Sequence, residues 1–202
     1  MNLFRFEDKF VCTQSEIQLI KAKISSFGEI YKEEIYQVNS LYYDTLNGDS
    51  YRTKLDGEYL KTKLRARHYN EDFSHFEIKE KKGLQNRKTK IDLSSDQYMN
   101  IINQKDLRNF FKEILIPSVW VRYKREAYQL MINDKDIRVT IDSNIEFTKH
   151  ISPHSVKFSD SVFIVEFKYS NRDERMDLLY AHLMLKRPVS FSKFFEGAKC
   201  FS

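Results

Sequence analysis

The sequence predicts an α+β fold: a closed, antiparallel, eight-stranded β-barrel decorated by helices. Three observations predict it. Strand-type runs rich in Val, Ile, Tyr, Phe and Thr recur at roughly 3–12, 31–44, 58–69, 74–82, 86–93, 119–130, 136–147 and 162–169. Within most of them charged residues take every second position, so each strand has one charged face and one apolar face. Helical patterns are few and lie where they can cover the apolar faces.

The elements follow in order. The first strand sets Arg5, Glu7 and Lys9 on one face, with Phe4, Phe6 and Phe10 on or near the other. TQSEIQLIKAKISSFG (13–28) reads as a helix, opened by a Thr13/Glu16 capping box and stopped at Gly28. KTKLRARHY (61–69) places Lys61, Lys63, Arg65 and Arg67 on one face, with Leu64 and Ala66 on the other. FEIKEKK gives Glu77, Lys79 and Lys81 against Phe76 and Ile78, and RKTKIDL gives Lys88, Lys90 and Asp92. SSDQYMNIINQ and KDLRNFFKEIL read as two helices across 94–115. VRYKREAY sets Tyr123 and Arg125 on one face and Arg122 on the other. IRVTID sets Arg138, Thr140 and Asp142 against Ile137, Val139 and Ile141. Residues 148–161 read as a loop, and IVEFKYS gives Glu166 and Lys168 against Val165 and Phe167. RDERMDLLYAHLML (172–185) is expected as a helix with Leu178, Leu179, Leu183 and Met184 on one side. SFSKFFEGAKC (190–200) is expected as a short last helix.

Composition narrows the function classes. With 41% hydrophobic residues, 5 Gly and 3 Pro, the chain is not of disordered composition, and its length suits one domain over 1–202. The net charge of +5 favours an anionic partner. Cys12 and Cys200 form no zinc-type spacing, and neither a GxxxxGK[ST] nor a GxGxxG motif occurs. The five histidines (68, 75, 150, 154 and 182) are scattered, and surface or partly buried roles are expected for them. The aromatic residues do not interleave with basic ones in a nucleic-acid recognition motif, so no nucleic-acid partner is expected. The N-terminus lacks a signal-peptide core, and no apolar run is long enough to span a bilayer. A cytoplasmic location is expected, with a separately encoded membrane-protein partner left open.

A charged strand face is ordinarily a solvated one. Here the pattern repeats on strand after strand, bases dominate, and like charges opposite one another destabilise a sheet. An interior face whose excess positive charge is neutralised by a ligand resolves the conflict, and a wide barrel has room for it. Lys and Arg suit phosphate. Carboxylates among them suit a hard divalent ion, Mn²⁺ or Mg²⁺, with Glu166, Glu77 and Glu7 as candidate ligands. The competing reading of each Glu-x-Lys is a cross-strand salt bridge; it weighs evenly for Glu7 and less for Glu166, whose neighbours are strongly apolar.

The ordered set RFEDKFV, SLYYDT, KLDG, KLRARHY, FEIKEKK, RKTKIDL, YKREAYQ, IRVTID, VEFKYS and SFSKFFEG resembles the VTC (vacuolar transporter chaperone) domain of polyphosphate polymerases, in its bacterial stand-alone form. That domain belongs to the triphosphate tunnel metalloenzymes. The resemblance runs from Arg5 to about Gly197. It implies an eight-stranded tunnel, a divalent metal, and transfer of the γ-phosphate of ATP to a growing polyphosphate chain. It assigns Lys9 as the first-strand lysine, Arg65 and Arg67 as the paired arginines, and Lys79 and Lys88 as tunnel lysines. Tyr123 and Arg125 match its Tyr-x-Arg, Arg138 its following arginine, Glu166 its metal-binding glutamate, and Ser192 and Lys193 its C-terminal basic element. Lys63, Lys90 and Lys168 join the substrate-binding set through alternation. Where the wider superfamily commonly has Glu-x-Glu-x-Lys, this chain has Arg5-Phe6-Glu7-Asp8-Lys9, which leaves fewer metal ligands. Two rivals stay open: hydrolysis of tripolyphosphate or nucleoside triphosphates, and non-catalytic binding of polyphosphate or an inositol polyphosphate.

Overall fold

The computed structural model describes residues 6–57, 60–70, 73–82, 85–105, 107, 114–132, 135–150, 155–158, 161–170 and 174–202. Its strands are β1 (Phe6–Thr13), β2 (Glu29–Thr45), β3 (Leu60–Tyr69), β4 (Phe73–Lys82), β5 (Gln85–Leu93), β6 (Leu115–Ile132), β7 (Lys135–Lys149), β8 (Ser155–Lys157) and β9 (Val162–Tyr169). Its helices are α1 (Gln14–Phe27), α2 (Asp49–Leu55), α3 (Ser95–Asn103), α4 (Glu174–His182) and α5 (Lys193–Lys199). All strand pairs are antiparallel, in the order β1-β9-β7-β6-β2-β3-β4-β5, with the short β8 on β7.

Among the described residues no ladder joins the two outermost strands, β1 and β5. The tunnel is completed by side chains instead: Lys79 Nζ on β4 donates to Glu7 Oε2 on β1 at 3.1 Å. The eight-stranded wall of the expected barrel is present, but among the described residues it is not closed by a backbone ladder, and this ion pair spans the seam.

Helices cover the outer, apolar face as the alternation requires. In α1, Ile17, Ile20 and Ile24 recur at helical spacing and are buried against Phe10, Val139, Phe167 and Leu179. Full burial of each such side chain is worth about 1.5–3 kcal/mol before conformational entropy is charged. Tyr98 of α3 packs with Leu41, Tyr43 and Phe76. Phe194 of α5 packs with Val119 and Phe147, and a Cβ at Gly197 would stand 2.8 Å from Phe147 Cδ1. The absent side chain therefore sets how closely α5 approaches the wall.

The Thr13 capping box is present, with Glu16 Oε2 accepting from the Thr13 N–H at 2.7 Å. Gly28 ends the helix as expected, at its C-cap. Its backbone is extended, and it is a glycine because a Cβ would fall 2.8 Å from the Met131 carbonyl oxygen. The expected loop at 148–161 contains β8. Helix α2 escaped the sequence reading because it is short, buries no residue and lacks a side-chain cap. In α4, Leu179 is buried and Leu183 follows it, but Leu178 and Met184 are exposed, so these four do not form one apolar side. The second helix expected within 94–115 falls largely outside the described residues, and Leu115 itself opens β6. Phe4 and Arg5 also lie outside the described residues.

Candidate functional site

Strand alternation delivers the charged faces to one place. The inner side of the wall encloses a cavity of about 410 Å³. All sixteen site residues expected from sequence line it: Lys9, Lys63, Arg65, Arg67, Lys79, Lys88, Lys90, Tyr123, Arg125, Arg138, Lys168, Ser192 and Lys193, with Glu7, Glu77 and Glu166. Among the described residues, seven lysines and four arginines thus face three glutamates. Tyr36, Tyr42, Tyr69 and Phe191 complete the lining and were not anticipated. Tyr69 carried a signal, since it continues the inward positions 63, 65 and 67 by one step.

Each carboxylate is paired with cations, Glu77 most fully. Glu77, 1% exposed, takes Arg65 Nε at 2.6 Å and Arg65 Nη2 on one oxygen. Its other oxygen takes Lys88 Nζ at 2.6 Å and His75 Nε2 at 3.1 Å. Burial pushes the Glu77 carboxyl up, but Arg65, His75, Arg67 and Lys88 outweigh it and hold the pKa well below the usual range. His75 is therefore a buried partner of the site, 1% exposed, correcting the surface or partly buried role expected for it. Among the described residues its Nδ1 has no hydrogen-bond partner.

Glu7 pairs with Lys9 at 2.7 Å and with Lys79. Glu166, 5% exposed, pairs with Lys168 and, across the ladder, with Lys9 at 3.8 Å. The tight Glu-x-Lys pairs, Glu7–Lys9 and Glu166–Lys168, lie within one strand; the cross-strand contacts are Glu7 with Lys79 at 3.1 Å and the longer one of Glu166 with Lys9, and Lys79 turns from Glu77 to Glu7. Burial and Glu166 push the Glu7 carboxyl up, yet Lys9, Lys79 and Lys168 hold it at about 2. Burial opposes the charge of Lys9, and Glu166 and Glu7 raise its pKa all the same.

The arginines differ in how they are neutralised. Arg125 forks onto Asp142, Nε to Oδ1 at 2.6 Å and Nη2 to Oδ2 at 2.8 Å, and Lys193 Nζ donates to the same Oδ2 at 2.5 Å. Arg67, 5% exposed, is held by hydroxyls: Ser40 Oγ at 3.0 Å, with Tyr69 OH and Tyr123 OH each at 3.2 Å. Its nearest carboxylate oxygen, on Glu77, is 3.9 Å away. A buried guanidinium so placed is oriented but under-neutralised, a standing invitation to an anion. Arg138 Nη2 donates to Tyr36 OH at 3.0 Å. The Lys63 ammonium reaches Ser192 Oγ at 2.9 Å, at the start of α5.

Among the described residues no group of three or more His, Cys, Asp or Glu forms a ready-made metal cage. What is present suits a hard ion that keeps part of its shell from elsewhere. Glu166 and Glu7 lie on neighbouring strands close enough for each charge to be felt by the other. Beside Glu166 in the ladder sits Thr140, 1% exposed, whose Oγ1 has no hydrogen-bond partner among the described residues. Two carboxylates, with an orphaned hydroxyl behind them, could hold a hard divalent ion.

Burial pushes Lys63 down to about 7, with Lys9, Lys79, Lys54 and Arg65 adding to the shift. Lys88, more exposed and better screened, is pushed the same way by burial, Arg65 and Arg67 against the pull of Glu77. In the free protein above pH 7 the unfolded chain binds more protons at Lys63 than the folded one. Stability at this site therefore rises with pH from about 7 towards 10.5. A bound polyanion favours the ammonium form, so binding at pH 8 takes up protons and weakens as pH rises. Calorimetry of tripolyphosphate binding in Tris and in HEPES measures the uptake, and Lys63→Met is expected to remove roughly one proton of it. Equal uptake in both proteins would refute the assignment.

The VTC domain family model matches residues 4–202. No curated protein matches the sequence. Solved structures share the fold at low identity. A protein of Pyrococcus horikoshii OT3 matches with TM-score 0.56 at 13% identity, covering 97% of this chain and 98% of its own. A candidate adenylate cyclase from Vibrio parahaemolyticus matches with TM-score 0.56 at 13% identity, over 95% of this chain and 96% of its own. A candidate adenylyl cyclase from Hippeastrum, described as having a dominant triphosphatase activity, matches with TM-score 0.52 at 10% identity, over 96% and 95%. The described helices include none long and apolar enough to cross a membrane.

Proposed function

The chain belongs to the VTC domain family of the triphosphate tunnel metalloenzymes, and from that membership we propose that it is a polyphosphate polymerase-like phosphotransferase. The observation that carries the proposal is the concentration of eleven basic side chains on the inner wall of one cavity. Residues 1–202 then act as one cytoplasmic domain, with ATP as donor, polyphosphate as acceptor, and any membrane component encoded separately.

In this reading a terminal oxygen of the polyphosphate chain attacks the γ-phosphorus of ATP. A new P–O bond forms, the bond from the γ-phosphorus to the β–γ bridging oxygen breaks, and ADP leaves. Arg65, fixed by Glu77 and by Tyr42 OH at 2.7 Å, and Arg67, fixed by three hydroxyls, are held in place before charge develops. Arg125, Arg138 and Lys88 add positive charge around the transferring group. Lys9, Lys63, Lys79, Lys90, Lys168, Lys193, Tyr123 and Ser192 hold the flanking phosphates. Glu166 and Glu7 would hold Mn²⁺ or Mg²⁺, which supplies further neutralisation of phosphate oxygens. Glu77, saturated by four donors, orients Arg65 and Lys88 and is not needed as a metal ligand.

The test is incubation of purified protein with ATP and Mn²⁺, with products resolved by ³¹P NMR. Internal chain phosphates alongside ADP support polymerisation. Orthophosphate without chain signal transfers the assignment to hydrolysis, the activity described for the Hippeastrum protein. Unchanged ATP from a protein that binds polyphosphate leaves a binding module.

A further inference from the structure

Glu77 holds Arg65 through one oxygen and is itself held through the other. Lys88 Nζ and His75 Nε2 share Glu77 Oε1, while Arg65 takes Oε2. The two donors on Oε1 are unlike. Lys88 is a point charge on a flexible stem, its side chain 42% exposed, on the outermost strand β5. His75 is buried on β4 beside Glu77, and its ring is wedged between Tyr69 and Phe73, with ring centroids 5.2 Å and 5.4 Å away. An ionised carboxylate only accepts, so the ring nitrogen facing it carries the proton. With Nδ1 unpartnered, that contact is the ring's one polar attachment among the described residues.

Lys88 has two claims on it. In the free protein its ammonium answers Glu77; in the proposed reaction it answers a phosphate. An ammonium drawn to phosphate withdraws from Oε1. The terminal torsion of a glutamate is broad, so a carboxylate held on one oxygen alone can swing and carry the Arg65 fork with it. His75 cannot be drawn away in the same manner, because it stands outside the cavity lining and its ring is fixed by its aromatic neighbours. It is the donor that stays.

We infer that His75 is a positioning residue, which keeps the Glu77 carboxylate and so the Arg65 fork in register when Lys88 turns to the substrate. The inference rests on the polymerase reading for the role of Lys88. The test compares the wild type with His75→Phe, which keeps a ring and loses the donor, and His75→Gln, which restores a donor at the same reach. Hydrogen exchange of the arginine Nε–H groups is followed by ¹H–¹⁵N NMR in the tripolyphosphate complex. His75→Phe is expected to exchange Arg65 Nε–H about tenfold faster than the wild type, with His75→Gln close to the wild type. Arg125 Nε–H, bonded to Asp142 rather than Glu77, serves as the internal control and should not change. In turnover, His75→Phe should lower kcat about tenfold at unchanged KM for ATP, and His75→Gln should recover most of it. Equal Arg65 exchange in the wild type and His75→Phe overturns the assignment. So does faster exchange at Arg65 and Arg125 alike, which marks general loosening, or a His75→Gln no better than His75→Phe. A protein that shows the Arg65-specific change yet makes no chain from ATP keeps the brace and loses the polymerase.

Discussion

Asp142→Ala is expected to cost about 3–5 kcal/mol of stability and to lower the melting temperature by roughly 10 °C. Asp142 is fully buried and answers two buried cations, Arg125 through a two-pronged contact and Lys193 through the same carboxylate. Burial pushes its carboxyl up, and Arg125 and Lys193 outweigh that and hold it below the usual range. Removing it leaves both cations buried in a wall that already has excess positive charge. The sign with pH follows from the lowered folded pKa: the stabilisation is present above the ordinary value of 3.8 and is lost as pH falls through the lower folded value. The variant carries its own control. Tripolyphosphate supplies the missing negative charge, so it should raise the melting temperature of Asp142→Ala more than that of the wild type. A variant as stable as the parent, or one the anion does not favour, would refute this account of the pair.

Arg65→Ala and Glu166→Ala should both abolish most chain synthesis, by different routes. Arg65→Ala removes a fixed donor from the transferring phosphate, for which about 10²–10³ in turnover is the ordinary cost. Arg65→Lys should not restore it, because an ammonium cannot span Glu77 and a phosphate as the fork does. Glu166→Ala frees Lys168 and leaves Lys9 to Glu7 alone, so nucleotide binding is expected to hold or tighten while metal-dependent turnover falls. Titration with Mn²⁺ at saturating ATP, following ADP and chain phosphate together, separates the two. Full activity in both variants would end the polymerase reading.

The inner face was legible because charge alternation is a local property. Lys63, Arg65 and Arg67 declare a common face within five residues, and the same arithmetic places Glu77, Lys79, Lys88 and Lys90. Alternation does not say which strands meet. Tyr36 reaches Arg138 and Tyr123 reaches Arg67 only through the ladder, across 102 and 56 residues of chain. Tyrosines in strands also read as core, so Tyr36 and Tyr42 gave no local sign of facing phosphate. His75 was hidden for a related reason: its parity was visible, but its burial behind Glu77 depends on Tyr69 and Phe73 packing around it. Closure was the same kind of problem. A two-residue period specifies an inside and an outside, and is silent on whether the first and last strands share hydrogen bonds.

That seam has a consequence for motion. Main-chain amides in the middle of the sheet, on β2, β6 and β7, have partners on both sides, whereas β1 and β5 have a ladder on one side only. Deuterium should therefore enter fastest at the two strands carrying Glu7, Lys9, Lys88 and Lys90, and slowest at β6. Many reaction vessels are stiffest where the chemistry is. Here the charged lining and the yielding edges coincide, so this wall can breathe around a filling of variable bulk while the Arg67 and Arg125 side, on strands paired on both flanks, stays fixed as the reference point.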